Sequence, residues 1–171
     1  MWNKGEVEQA FNKFGKETIQ QARTNLTKGN HNVSKDLYNA LQFKYEGSPN
    51  SFRFTLSAPE YWKYLDQGVK GSKSSNKAPD SPYRYTNKKP PIKAIESWVT
   101  ARRFQFRDTR GRFLSYRSTA YAVREGIFKY GITATKFLSR AFELKWKRFQ
   151  AQLKEAVKLD MENLLNFVIR N

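Results

Sequence analysis

The side chains able to do chemistry in this 171-residue chain are few and scattered. His31 is the only histidine, in the polar run Gly29-Asn30-His31-Asn32, and cysteine is absent. One imidazole, expected at an exposed turn and without a thiol, gives neither a nucleophile–base pair nor the nitrogen and sulfur ligands of a zinc site. The carboxylates are also dispersed. Glu6 and Glu8 open a helix, where their charge complements its dipole. A metal-dependent nuclease would need the fold to gather Asp66, Asp80, Glu96 and Asp108 around a cation. There is no phosphate-binding loop, dinucleotide fingerprint or nucleophile elbow. The expectation is therefore a protein that is not an enzyme, with no catalytic residues, metal or cofactor.

Charge is the stronger signal. The 32 Lys and Arg against 15 Asp and Glu give a formal net charge of +17. Residues 69–117 supply +10 of it, with thirteen basic residues against only Asp80, Glu96 and Asp108. Lys70, Lys73, Lys77, Arg84, Lys88, Lys89 and Lys93 form one group; Arg102, Arg103, Arg107, Arg110, Arg112 and Arg117 form a second. Such a segment suits DNA phosphate or an acidic protein partner, and the plain alternative is a solvated face of a basic chain. Tyr83, Tyr85, Phe104 and Phe106 interleave with the bases. They are placed to stack on nucleobases or, as such aromatics more often do, to anchor a protein contact.

The elements that must position these residues follow from periodicity. Residues 4–28 carry Val7, Ala10, Phe11, Phe14, Ile19, Ala22 and Leu26 at helical spacing, with Gly29 as C-cap and with Gly5 and Gly15 weakening the helix. From Ser34 a short helical turn leads to a strand through Leu41, Phe43 and Tyr45, and Gly47 to Asn50 turn it into a second strand through Phe52, Phe54 and Leu56. Ala58 and Pro59 end that strand, and Tyr61, Trp62, Tyr64 and Leu65 recur at helical spacing until Asp66 and Gly68. So much aromatic surface on a short helix must dock on a sheet or on another subunit.

Residues 69–91 read as a long basic loop whose apolar content is too low to offset the entropy of ordering it. Pro90 and Pro91 begin a helix with Ile92, Ile95, Trp98 and Val99 on one face. Residues 104–117 read as a projecting hairpin with arginine at its tip. Ser118 or Thr119 caps a helix running to Gly131, with Ala120, Val123 and Ile127 inward. A last helix from Thr133 or Thr135 carries Leu138, Phe142, Phe149, Leu153, Val157, Met161, Leu164 and Val168 in one stripe. It should break near 158–162 or dock its tail on a neighbour. The expected fold is one α+β domain over 1–171, a small antiparallel sheet packed by helices, with a long helix at each end. A core of this size buries about two thirds of the unfolded surface. No apolar signal core or membrane span is present, so a soluble, unprocessed chain made in a cytoplasm is expected.

Two motifs carry a family resemblance. Tyr61 to Gly68 (YWKYLDQG) follows Y-x-x-Y-L-[DE]-x-G after a strand, and Gly131 to Phe142 (GITATKFLSRAF) follows G-I-x-A-T-x-F-L-x-x-A-F. With these, the chain resembles the tail-completion or neck proteins of tailed bacteriophages over roughly residues 35 to 155. It departs from them in the long basic insertion between the motifs. The resemblance implies a non-enzymatic virion protein, made in the host cytoplasm. It would form a homo-oligomeric ring at the head–tail joint, beside other neck, portal-adaptor or tail proteins and around the genome's path, with no membrane partner. Tyr61, Trp62, Tyr64, Asp66, Phe137 and Phe142 are then the subunit-interface candidates. Identical basic subunits in a ring repel, because a screening length of about 8 Å protects them only in part. An acidic counter-surface, DNA or a neighbouring ring, is therefore expected to face Lys70, Lys73, Lys77, Arg84, Lys88, Lys89, Arg107, Arg110 and Arg112. A stand-alone basic DNA-binding module is the alternative, and a small nuclease a third.

Overall fold

The computed structural model describes residues 5–31, 35–48 and 51–170. It is α+β: helices α1 (Gly5–Lys28) and α2 (Asp36–Ala40), strands β1 (Gln42–Ser48) and β2 (Ser51–Ser57), helix α3 (Trp62–Gln67), strand β3 (Val69–Lys70), helices α4 (Ile92–Ala101) and α5 (Tyr116–Tyr130), strand β4 (Gly131–Ile132) and helix α6 (Ser139–Arg170). The sequence suggests one domain, whereas the chain packs as two compact units. Unit 1 takes residues up to Gly29, Asp36–Pro59 and those from Phe137 onward; unit 2 takes Asn30–Lys35 and Glu60–Lys136. By sequence, +12 of the net charge falls in unit 2 and +5 in unit 1.

Unit 1 is an antiparallel pair of long helices with the β1–β2 hairpin laid on it. The α1 stripe expected from periodicity is the buried one, with Val7, Phe11, Phe14, Ile19, Ala22 and Leu26 inside. Phe14 stacks on Phe149 of α6 at 4.4 Å, and Phe11 meets Phe149 edge-on at 4.9 Å and Tyr45 of β1 at 5.1 Å. Each such buried ring contributes about 2–3 kcal/mol through the area it removes from water. The hairpin pairs Gln42 with Ser57 through to Ser48 with Ser51, and its inward face is Phe43, Tyr45, Phe54 and Leu56. Ser34, Pro49 and Asn50, assigned to turns from sequence, lie outside the described residues.

Gly15 has a reason that helix propensity does not reveal. A Cβ there would sit 2.5 Å from the Phe43 ring, so its absence lets β1 lie directly on α1. At the opposite end Asp160 of α6, 2 % exposed, accepts hydrogen bonds from the Glu6 and Val7 amides at 3.1 Å each. It thereby caps the first turn of α1 and meets the positive end of its dipole.

Two expectations about the last helix, its start and the extent of its buried stripe, change. It begins at Ser139, because Thr135 is spent on a bond outside the helix: its hydroxyl donates to the Leu65 carbonyl at 2.8 Å. Of the two outcomes expected, a break at 158–162 or a tail docked on a neighbour, the break is absent: Lys-Leu-Asp-Met-Glu contains no glycine or proline, and the 32 residues run about 48 Å. The stripe is buried only as far as α1 accompanies it. Phe149 and Ala156 are inside, while Val157, Met161 and Val168 are 40, 56 and 62 % exposed.

Unit 2 has a smaller core of Ile95, Val99 and Ala120, where α4 meets α5, with Ile92, Val123 and Ile127 packed against it. Trp98, expected inward, is 41 % exposed. The N-cap of α5 is Ser115 rather than Ser118 or Thr119; its hydroxyl accepts from the Ser118 amide at 3.1 Å. Among the described residues no helix is long and apolar enough to cross a membrane.

Candidate nucleic-acid interface

The basic segment is held by a close backbone crossing that only glycine permits. Gly131 ends α5 at φ 80° and pairs with Lys70, and a Cβ on it would stand 2.1 Å from the Val69 carbonyl oxygen. Gly68, at φ 72°, and Gly71 are equally closed in. Over this crossing the two motifs meet. Val69 pairs with Ile132, the Thr135 amide donates to the Leu65 carbonyl at 3.1 Å, and the Lys136 amide to that of Asp66 at 2.8 Å.

The 69–91 segment, expected to lack a fixed path, is tied down by the end of α5. The last turn of a helix leaves carbonyls without partners. Here the Ser72 amide donates to Phe128 at 2.8 Å and the Lys73 amide to Lys129 at 3.0 Å. Further along, Lys70 and Arg84 form a parallel bridge, and the buried Ser81 hydroxyl donates to the Gly68 carbonyl at 2.7 Å. At the far end Arg124 donates to the Pro90 carbonyl at 2.9 Å, and Lys89 pairs with Glu125 at 2.6 Å and lies over the Phe128 ring. That hydrogen bond from Lys89 holds the Glu125 carboxyl below the usual carboxylate range. Backbone partners on α5 thus supply the ordering that apolar side chains could not.

The bases of this segment divide by what they do. Arg84 donates to the Ser75 hydroxyl at 3.1 Å, and Lys77 reaches the Gly131 carbonyl at 3.5 Å. Lys70 is half-buried beside the crossing. Lys73, Lys88 and Lys93 are exposed. Tyr83 and Tyr85 face inward: Tyr83 meets Tyr64 at 4.7 Å and Tyr85 meets Phe128 at 6.2 Å. Burial first, and the Tyr64 charge second, push the Tyr85 hydroxyl pKa up. Both rings are half-buried.

The expected hairpin at 104–117 is a tight turn rather than two strands, with one antiparallel bridge, Arg107 to Phe113. Its organiser is Asp108. The Arg110 and Arg112 amides and the Arg112 Nε all donate to its carboxylate, each at 2.9 Å, and hold its pKa below the usual value, the Arg112 backbone bond foremost. Arg107 lies over the Phe113 ring at 4.2 Å. The turn tip therefore presents Arg110, with Arg112 committed to Asp108. Among the described residues no ion pair engages Arg103, Arg110 or Arg117.

The interface candidates separate as well. Tyr61 and Tyr64 are 48 and 46 % exposed and Trp62 is half-buried. Asp66 and Phe137, at 0 and 1 %, are core residues with no surface to give a neighbouring subunit. Phe142 packs between Phe14 and Trp146 at 5.5 Å from each. Sequence reasoning missed Asp160, and took Thr119 for a cap where its hydroxyl instead accepts from the Phe106 amide. The available signal was a polar residue on the apolar face of a helix.

No three acidic or histidine side chains stand together as a metal-holding group among the described residues, so Asp66, Asp80, Glu96 and Asp108 are not gathered. Desolvation of the His31 ring, and then the Arg102 guanidinium, lower that imidazole's pKa. Compared with protein-family models, curated proteins and solved structures, the chain matches none.

Proposed function

We propose that this chain is a structural ring subunit of a bacteriophage neck or tail-completion complex, joining portal and tail around the DNA channel, and that it works by assembly rather than catalysis. The observation that carries the reading is the meeting of the two resembling motifs. Leu65 and Asp66 of the first are hydrogen-bonded to Thr135 and Lys136 of the second, about a glycine crossing that tolerates no side chain. In such a ring the exposed Tyr61 and Tyr64 and the far end of α6 contact neighbouring copies. The bases of unit 2 face an acidic adjacent ring or the genome.

The test is made on virions of a phage encoding the chain. Gold-labelled antibody should mark the head–tail joint, and deleting the gene should leave filled heads and tails unjoined. Virions lacking the chain would overturn the reading.

A stand-alone DNA-binding module is favoured instead by one observation, the +12 of unit 2. Binding to a random-sequence duplex between about 50 and 200 mM salt separates the two, since six to ten phosphate contacts cost roughly 10³ to 10⁵ in affinity over that range. A steep slope with affinity still tighter than about micromolar at the upper salt favours the module. Weak binding lost early favours a protein counter-surface.

A further inference from the structure

Trp98, Phe104 and Phe106 form a continuous aromatic run on the surface of unit 2. The Trp98 and Phe104 rings are 6.3 Å apart and those of Phe104 and Phe106 5.0 Å, and they are 41, 39 and 40 % exposed. Apolar area of this kind is normally buried, and here the backbone prevents its collapse. Arg103 takes a left-handed conformation, φ 52°, at the end of α4, and the Phe104 amide donates back to the Val99 carbonyl at 2.9 Å. The Phe106 amide donates to the fully buried Thr119 hydroxyl at 3.2 Å, and its carbonyl accepts from Leu114 at 2.8 Å. The backbone of the run is thus pinned at three points, and part of each ring stays exposed.

Its surroundings are cationic. Arg102 lies over the Trp98 ring at 5.4 Å, and Arg103, between Trp98 and Phe104 in the chain, is exposed. An ordinary protein partner would cover the rings equally well, but only a strongly acidic one would also answer the +10 of the segment. A polyanion with flat apolar faces satisfies both demands. In a duplex those faces are stacked inside, whereas in a single strand they are open to aromatic rings and guanidinium planes.

We propose that Trp98, Phe104 and Phe106, flanked by Arg102 and Arg103, are a stacking surface for unpaired nucleotides, giving the chain a preference for single-stranded over duplex nucleic acid. The inference rests on the reading in which the charge of unit 2 faces nucleic acid.

Fluorescence anisotropy of the full chain tests it with three probes: oligothymidylate of about 16 nucleotides, within the span of one single-strand site, an abasic strand of the same length, and a duplex of that length. Oligothymidylate should bind at least about tenfold tighter than the abasic strand, since stacked bases contribute at that scale. Phe104→Ala with Phe106→Ala, which leaves Trp98 in place, should lower the ratio several-fold with the salt slope unchanged. Phe104→Trp should keep the preference and guards against a double variant that fails to fold. A wild-type ratio near one, or a duplex bound more tightly than the strand, overturns the inference. If that duplex binding is steeply salt-dependent, the nucleic-acid reading survives it. No binding to any probe at low salt overturns both.

Discussion

Unit 1 has a buried aromatic centre, with Phe52, Trp146 and Phe167 left at its surface, whereas unit 2 has exposed rings and an aliphatic core. Phe11, Phe14 and Phe149 are 4, 3 and 1 % exposed, against 39, 40 and 62 % for Phe104, Phe106 and Phe113. The difference lies in what holds each unit. Unit 1 rests on side-chain area between two long helices, with a hairpin added where Gly15 allows close approach. Unit 2 has a small aliphatic core and is held largely by backbone hydrogen bonds among loops, helix ends and three glycines. A unit stabilised by its backbone can leave aromatic and basic side chains to the surface, where they are available to a partner. That division explains how a segment of such high charge keeps a defined path.

Substitutions can break this comparison. The largest effect is expected in unit 1, where Phe149→Ala removes the ring shared by Phe11 and Phe14 and should cost about 3–5 kcal/mol, read from denaturant unfolding. Unit 2 should yield instead to a backbone change. Gly131→Ala puts a Cβ against the Val69 carbonyl at a left-handed position and should cost at least about 2 kcal/mol. The Ser72 and Lys73 amides should then exchange with solvent much faster than in the parent protein. Unchanged exchange there would refute the account of how the loop is held.

Paired glycines sharpen the contrast. Gly126→Ala in α5 meets nothing within 4 Å and should stabilise by about 0.5–1 kcal/mol through helix propensity. Gly15→Ala gains the same propensity but drives a Cβ into Phe43, so a net loss of about 1 kcal/mol is expected, seen as a lower melting temperature. The smallest effect concerns Asp108. Its folded pKa lies below the ordinary carboxylate value, so its support of the turn is complete above that value and is lost as pH falls through the lowered one. Acidification across that window should raise amide exchange at Arg110 and Arg112 while α1 amides stay protected.

Much of unit 1 was legible in the sequence, because repeating patterns of apolar residues report directly on which face of a helix or strand is buried. The α1 stripe and the β1–β2 alternation, and in unit 2 Gly131 as a helix terminator, follow from local periodicity and turn chemistry. What escaped were pairings between distant residues. Asp160 reads as one polar residue in an apolar stripe until α1 is seen to start beside it. The exposure of Trp98 and the end of the buried stripe near Ala156 depend on which faces other elements cover.

In the candidate site the same boundary holds. Sequence alone determined that thirteen bases face three acids across residues 69–117, that aromatics alternate with them, and that the chain is α+β. Only the tertiary structure decided how far each aromatic is covered: Tyr83 and Tyr85 are half-buried against Tyr64 and Phe128, and Phe104 and Phe106 stay more exposed on a backbone held by Val99 and Thr119. It also decided that the loop is held, because the amides of Ser72 and Lys73 find the unsatisfied carbonyls at the end of α5. Composition records how much charge and apolar area a segment carries. Which backbone groups pair, and hence which side chains are left outside, is fixed by contacts between residues far apart in the chain.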